Sequence, residues 1–233
     1  MRFRGVFFDA GETLVHPAPS FPELFAEIVT REGYPREPLA ISDGVALVSD
    51  EFRRASHEQM LWTTSPERSR RFWLGVYERF LDVLDLPRGD GLAETLYREF
   101  TDRDNYAAFD DVRPTLETLR DAGAVLGVIS NYEAWLEDLL ADLRLVELLP
   151  IRVISGVVGI EKPDPAIFRL ALDRVDLPPE DVAYVGDVPD FDYDPPTALG
   201  MFPVLIDRRE RHADFGGRRV TDLRDLVPLL EPS

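Results

Sequence analysis

Hydrophobic and polar positions follow two different rhythms along this chain. Near both ends, short apolar runs that stop at polar loops alternate with longer stretches of helical periodicity. The runs that predict buried strands are residues 4–8, 124–130, 151–154, 181–186 and 203–206. The stretches that predict helices are residues 113–122, 133–143, 164–175 and 221–230. Because strands that alternate with helices form parallel sheets, we predict an α/β domain with helices on both faces of its sheet.

The middle of the chain has helical periodicity alone. Apolar residues recur at helical spacing in three stretches, with prolines between them. These stretches are residues 21–32, 68–84 and 92–102. We therefore expect an all-helical domain, residues 16–108, inserted into an α/β domain that is made of residues 1–15 and 109–233.

Chemically useful side chains stand where the predicted strands end. Asp9 follows the first strand, Ser130 and Asn131 end the second, and Asp187 follows the fourth. Singly, such residues are ordinary at the start of a loop. The carboxyl ends of parallel strands meet at one edge of the sheet, however, and ligands bind there. The sequence thus predicts a site with a nucleophilic carboxylate, a hydroxyl and amide donor, and a second carboxylate.

Lys162 adds a cation to this set and is the one lysine in the chain. An ammonium is a compact point charge, whereas the guanidinium of arginine is a wide planar fork. In a chain that otherwise uses arginine, the surviving lysine indicates a position that needs the compact group. It lies in a glycine- and proline-containing loop, residues 159–165.

Composition and charge exclude several classes of function. The net charge of −18 argues against nucleic acids and anionic membranes as partners. Because this negative charge also repels phosphate groups, a phosphate site in this protein needs local cations or a metal. The absence of cysteine excludes thiol nucleophiles and thiolate metal sites. The polar N-terminus and the lack of a long apolar stretch predict a cytoplasmic protein, expected as a monomer or a homodimer.

Four ordered segments resemble the motifs of the haloacid dehalogenase-like (HAD) hydrolase superfamily, in the subclass whose helical cap is inserted after the first motif. The segments are residues 7–14 (FFDAGETL), 128–131 (VISN), 159–165 (GIEKPDP) and 184–187 (YVGD), the last followed by Asp192 and by residues 198–201 (ALGM). The resemblance covers essentially the whole chain. It implies a Rossmann-like core and a Mg²⁺-dependent phosphatase that acts on a small phosphorylated metabolite.

The resemblance also implies a nucleophile and a metal site. Asp9 would attack phosphorus and form an aspartyl-phosphate, which divides a difficult hydrolysis into two easier steps. Asp9, Asp187 and the backbone carbonyl of Gly11 would bind Mg²⁺, which neutralises the charge of the phosphoryl group.

The other matching residues would complete the phosphate site. Thr13, Ser130 and Asn131 would bind phosphate oxygens. Lys162 would pair with both the nucleophile and the phosphoryl oxygens, and it would also keep the clustered carboxylates ionised. Asp192 would orient the metal shell or the lysine.

Gly11 is where the chain departs from the phosphatase pattern. Phosphatases of this superfamily usually carry a second aspartate there, which protonates the leaving group and is worth about 10²–10⁴-fold in rate as a general acid and base. Glycine keeps the carbonyl but has no proton to donate. The neighbouring Glu12 carries a carboxyl group, but adjacent residues on an extended segment point to opposite sides.

Three functional hypotheses follow from this departure. The protein is a phosphatase with weak or leaving-group-sensitive activity, a metal-independent 2-haloacid dehalogenase, or a non-catalytic relative that binds a phosphorylated ligand or a protein. Dehalogenases also lack the second aspartate, although they typically carry an aromatic residue there. Phosphonate-cleaving relatives are excluded, because they need a cap lysine and residues 16–108 contain none.

Overall fold

The computed structural model describes residues 2–58 and 61–231, and the chain forms two compact units. Residues Met1–Val15 and Ala108–Ser233 make up the first unit, and His16–Ala107 make up the second. The strands are β1 (Gly5–Phe8), β2 (Val15–Pro17), β3 (Tyr106–Ala108), β4 (Val125–Ser130), β5 (Ile151–Ile154), β6 (Val182–Gly186), β7 (Phe202–Ile206) and β8 (Arg219–Val220).

The helices of the described residues fall in both units. They are α1 (Phe21–Arg31), α2 (Pro38–His57), α3 (Pro66–Val83), α4 (Leu92–Phe100), α5 (Val112–Asp121), α6 (Leu136–Asp142), α7 (Ser155–Val158), α8 (Pro165–Val175), α9 (Asp194–Leu199) and α10 (Leu226–Leu229).

A six-stranded sheet forms the centre of the first unit, in the order β5-β4-β1-β6-β7-β8, and all its described pairs are parallel. Strand β1 is buried along its whole length, as expected for a central parallel strand covered on both faces. Phe8 pairs with Val128 on one side and with Val185 on the other, so the segments that follow β1, β4 and β6 leave the sheet at the same edge. The predicted α/β class is confirmed.

Local sequence signals explain how α8 begins. The side chain of Asp164 accepts a hydrogen bond from the backbone N–H of Ala166 at 2.8 Å, and Pro165 occupies the first helical position. This capping fixes the end of the loop that carries Lys162.

Some predicted elements differ from the observed ones. The predicted helix over 133–143 begins only at Leu136, and the predicted closing helix over 221–230 consists of a 3₁₀ turn followed by the four residues of α10. Pro228 has no N–H to donate to the carbonyl of Arg224, which disfavours one continuous α-helix from Leu223 to Leu229. The two-residue β8 was missed because so short a strand has no periodicity to detect.

The second unit contains α1 to α4 around an aromatic core. Phe25 and Phe80 are fully buried, with ring centroids 5.4 Å apart. Ser20 and Ser65 cap α1 and α3, each followed by a proline in the first turn. Strands β2 and β3 pair with each other near the points where the chain passes between the units. No helix among residues 2–58 and 61–231 is both long and apolar enough to cross a membrane.

Candidate active site

The ammonium group of Lys162 is the hub of a buried polar cluster at the carboxyl edge of the sheet. Its Nζ donates hydrogen bonds of 2.6 Å to Oδ1 of Asp9 and to Oδ1 of Asp192. A third bond, 3.1 Å long, goes to the hydroxyl of Tyr184. The lysine side chain is only 3% exposed, and an ammonium has three protons to donate, so all three have protein partners. The geometry therefore fixes the position of this cation.

Asn131 holds the backbone of Lys162 in place. The side-chain Oδ1 of Asn131 accepts from the Lys162 N–H at 2.7 Å, and its Nδ2 donates to the Lys162 carbonyl at 2.8 Å. Both described contacts of the Asn131 side chain are to this backbone, and its assignment to phosphate binding stays a prediction. The structure thus shows Asn131 as a link between the end of β4 and the lysine loop.

Asp192 is almost completely buried, and both of its carboxylate oxygens accept hydrogen bonds. Beyond its contact with Lys162, its Oδ2 accepts from the backbone N–H of Val188 at 3.0 Å, and its Oδ1 lies 3.0 Å from the Tyr184 hydroxyl. Gly186 makes room for it, since a Cβ at that position would overlap the Asp192 side chain. Asp192 thus lies beside the lysine, and its role in orienting the lysine or the metal shell stays a prediction.

The sequence did not identify Tyr184 as part of the site. Its hydroxyl accepts from Lys162 and lies 2.9 Å from the carbonyl oxygen of Ile129, at the end of β4. It therefore links β6 to β4 across β1. A tyrosine within an apolar strand resembles a core residue, and its hydroxyl contacts become visible only when the neighbouring strands are known.

Asp9, Asp187 and Asp192 form a carboxylate cluster whose potential ligand oxygens all lie within 4.8 Å of one another. Burial raises the pKa of Asp187 well above its usual value, and the nearby Asp9 and Asp192 charges add to the effect. Burial also raises the pKa of Asp9, against the opposing influence of Lys162. Burial lowers the pKa of Lys162, but Asp192 and Asp9 outweigh it, so the net pKa is raised and the ammonium stays charged.

This cluster fits a hard divalent cation. Among the residues described, the Asp187 carboxylate has no hydrogen bond or ion pair, although its neighbours carry negative charge. Carboxylate and carbonyl oxygens are the ligands that Mg²⁺ accepts. One lysine cannot neutralise three carboxylates, so a further cation at Asp9 and Asp187 would relieve the remaining repulsion.

Ser130 ends β4, which pairs with β1, and so lies close to the nucleophile position. The nearby Ser130 hydroxyl lowers the pKa of the Asp9 carboxyl group. Thr13 is fully buried, and its hydroxyl has no hydrogen-bond partner among the described residues. A buried hydroxyl without a partner is costly, so Thr13 is suited to a ligand that supplies an acceptor.

The loop after β7 contacts the segment that follows Asp9, which the sequence did not predict. Arg208 donates to the Thr13 carbonyl at 2.7 Å and to both oxygens of Asp111 at 2.8 and 2.9 Å. Arg209 pairs with the Glu12 carboxylate at 2.9 Å. The only sequence signal was the basic run in residues 208–212 at the end of a strand. Glu12 itself has a φ of 54°, in the left-handed region.

Comparison with known proteins agrees with this geometry. The profile of the haloacid dehalogenase-like hydrolases matches residues 3–200. Human haloacid dehalogenase-like hydrolase domain-containing protein 3 is 31% identical over 210 residues, which cover 88% of this chain and 82% of that protein. A phosphoserine phosphatase from Thermus thermophilus is 34% identical over 143 residues, or 60% of this chain and 56% of the relative.

The solved structure of a dehalogenase superposes with a TM-score of 0.73 at 22% identity, covering 100% of this chain and 99% of the other. At that identity the likeness concerns the fold alone. The family profile spans most of the chain, and its match includes the strands that position Asp9, Ser130, Lys162 and Asp187. The chain therefore belongs to the haloacid dehalogenase-like hydrolases.

Proposed function

We propose that this hydrolase is a Mg²⁺-dependent phosphatase that acts on a small phosphorylated metabolite through an aspartyl-phosphate on Asp9. One observation carries the proposal: Lys162 is bonded to Asp9 and Asp192, while the adjacent Asp187 has no partner among the described residues. A carboxylate nucleophile held beside a fixed ammonium and an unsatisfied carboxylate suits a phosphoryl group and its metal.

The residues of the site have complementary tasks in this reaction. Asp9 attacks phosphorus, the ester P–O bond breaks, and water then hydrolyses the acyl phosphate and regenerates the carboxylate. Lys162 neutralises charge on the phosphoryl oxygens, and the hydroxyls of Ser130 and Thr13 donate hydrogen bonds to them.

Asp9, Asp187 and the carbonyl of Gly11 are the residues that would hold Mg²⁺. When bound, the cation offsets the negative charge that both the carboxylates and the phosphate bring to the site. The similarity to the phosphoserine phosphatase of Thermus thermophilus supports the same class of substrate.

The helical unit His16–Ala107 is proposed as the cap domain of the subclass that the motifs resemble. Its lack of lysine leaves Lys162 as the sole amine side chain for the chemistry.

A 2-haloacid dehalogenase is the second candidate, and Gly11 favours it because these enzymes also lack the second aspartate. The acidic cluster with its unsatisfied Asp187 argues for the phosphatase, since a dehalogenase of this type uses no metal. A non-catalytic relative would keep the cleft and bind a phosphorylated ligand without turnover.

Phosphate and halide release separate the three functions. The purified protein should release phosphate from acetyl phosphate and from p-nitrophenyl phosphate with Mg²⁺, and a chelator should abolish the release. Halide release from a 2-haloacid in the presence of chelator would instead establish the dehalogenase. Tight phosphate binding without either activity would establish the binding protein.

A further inference from the structure

The described site holds no carboxyl group in the position that Gly11 leaves vacant. Asp192 is bonded to Lys162, and Asp9 is needed as the nucleophile. Glu12 is paired with Arg209 at 2.9 Å. A phosphatase that cleaves esters of poorly acidic alcohols nevertheless gains from a proton donor at the leaving group. The question is which side chain occupies that space.

Tyr132 lies in the direction in which a side chain at position 11 would project. A Cβ placed on Gly11 would lie 3.7 Å from Cε2 of Tyr132, and no other described side chain or backbone atom would come within 4 Å, apart from those of the chain neighbours. In a tyrosine, Cε2 is bonded directly to the carbon that carries the hydroxyl. The hydroxyl-bearing half of the Tyr132 ring is therefore the described side-chain group nearest to the Cβ of a side chain at residue 11, with the hydroxyl oxygen itself more than 4 Å from that Cβ.

The position of Tyr132 is built by the fold. Its N–H donates to Oγ of Ser155 at 2.9 Å, and its carbonyl accepts from the Ser155 hydroxyl at 3.1 Å and from the N–H of Gly156 at 2.9 Å. Its ring packs edge-on against Trp135, with centroids 4.9 Å apart. The preceding residue, Asn131, is bonded to the Lys162 backbone. Backbone and ring contacts of this kind hold a functional group on a rigid element.

We propose that Tyr132 is the proton donor to the leaving group, in the role usually filled by the missing second aspartate. This inference rests on the proposed phosphatase function and deepens it. The phenol is protonated in neutral water and can donate one hydrogen bond. An alkoxide is a much stronger base than a phenolate, so proton transfer to the departing oxygen is downhill.

Both steps of the reaction balance with this donor. In the first step Asp9 bonds to phosphorus, the P–O ester bond breaks, and the leaving oxygen takes the Tyr132 proton to give the alcohol and a phenolate. In the second step water attacks the phosphorus of the acyl phosphate and gives its proton to the phenolate. Phosphate leaves, and the Asp9 carboxylate and the Tyr132 phenol are restored.

The experiment compares leaving groups in wild type and Tyr132→Phe with Mg²⁺. Acetate leaves from acetyl phosphate without an acid, so kcat/KM for this substrate, which reports the first step alone, should fall far less than kcat/KM for the alkyl ester. Thermal unfolding shows that the variant is folded. Along a series of substituted phenyl phosphates and one alkyl phosphate, kcat/KM of the variant should fall more steeply as the leaving group becomes more basic. For the alkyl ester we expect a loss of about 10²–10⁴-fold.

A rescue variant makes the test specific. The open space at Gly11 admits a side chain. Adding Gly11→Asp to Tyr132→Phe should therefore raise alkyl phosphate turnover at least about tenfold above that of Tyr132→Phe alone, whereas adding Gly11→Ala should not raise it. Tyr106→Phe is the control, because the Tyr106 hydroxyl bonds the Phe100 carbonyl at 2.9 Å in the helical unit. It should not alter the dependence on the leaving group.

The outcomes are distinct. If wild type lacks acetyl phosphate turnover, the proposed function fails. If that turnover is present but kcat/KM of Tyr132→Phe depends on the leaving group as in wild type, the role of Tyr132 is overturned while the phosphatase stands. The same holds if the substitution lowers kcat/KM equally for all substrates. Absence of alkyl phosphate turnover in wild type also overturns it.

Discussion

The carboxylate of Asp9 and the ammonium of Lys162 form an ion pair 2.6 Å long, between side chains that are 10% and 3% exposed. They are 153 positions apart in the chain. The pair exists because β1 delivers Asp9 to the edge of the sheet where Asn131 holds the lysine loop.

Removal of the ammonium should destabilise the protein strongly. Lys162→Met leaves Asp9 and Asp192 buried without their cation, and breaking such a pair costs about 3–5 kcal/mol of unfolding free energy. The loss should shrink at acidic pH, since the pKa of Asp9 rises further without lysine and the carboxyl group becomes protonated. Urea unfolding of wild type and Lys162→Met at several pH values measures this loss of unfolding free energy. Arg4→Met is the control, because Arg4 is 68% exposed and pairs with Asp181 at 3.4 Å, a contact worth about 0–1 kcal/mol.

Asn131 should affect catalysis more than substrate binding. Asn131→Ala leaves the N–H and carbonyl of Lys162 without their partners and lets the ammonium shift, so kcat should fall while KM changes little. Steady-state kinetics with acetyl phosphate separates the two constants. Asn105→Ala, which removes a 2.9 Å bond to the Glu99 carbonyl in the helical unit, should leave kcat unchanged. A rise in KM at constant kcat would return Asn131 to the phosphate-binding role that the sequence predicted.

Mg²⁺ should stabilise the protein in a pH-dependent way that requires Asp187. The pKa of Asp187 is raised in the folded state, so the metal-free protein loses stability as the pH rises from the ordinary carboxyl range through that raised pKa. A cation at 100 times its Kd adds about 2.7 kcal/mol, which corresponds to about 5–10 °C in Tm for a chain of this size. Thermal unfolding with and without Mg²⁺ at neutral and acidic pH measures the effect, which acidification should diminish.

Asp187→Asn should raise the Tm of the metal-free protein at neutral pH, because it removes a charge that repels Asp9 and Asp192. It should also abolish the shift caused by Mg²⁺. The exposed Asp190, in the same loop, provides the control variant Asp190→Asn, which should keep that shift. An equal shift in wild type and Asp187→Asn would place the metal elsewhere.

Much of the site could be predicted from the sequence because strand order determines it. Asp9, Ser130 and Asp187 each stand where an apolar run ends, and parallel strands bring such ends together. Lys162 stood out because no other residue of its kind is present. The contact between Asp9 and Lys162 then follows, because Asp9 lies at this edge of the sheet and the loop that carries Lys162 lies beside it.

The remaining contacts depend on geometry that periodicity does not encode. Asn131 was assigned to the phosphate by its match to the second motif, and the bonds of its amide to the backbone of another loop could not be predicted from that match. The Tyr184 hydroxyl on β6 contacts the carbonyl oxygen of Ile129 on β4, although β1 lies between these two strands. Arg209 and Glu12 are 197 positions apart, and neither lies in a periodic segment that could place it against the other.

Asp9 is proposed as the nucleophile of a phosphatase. The most direct measurement is Mg²⁺-dependent release of phosphate from acetyl phosphate by wild type and by Asp9→Asn, with thermal unfolding to show that both are folded. We predict that wild type turns over and that Asp9→Asn falls to the uncatalysed rate, because the amide cannot form the acyl phosphate. Turnover by Asp9→Asn equal to that of wild type would contradict the assignment.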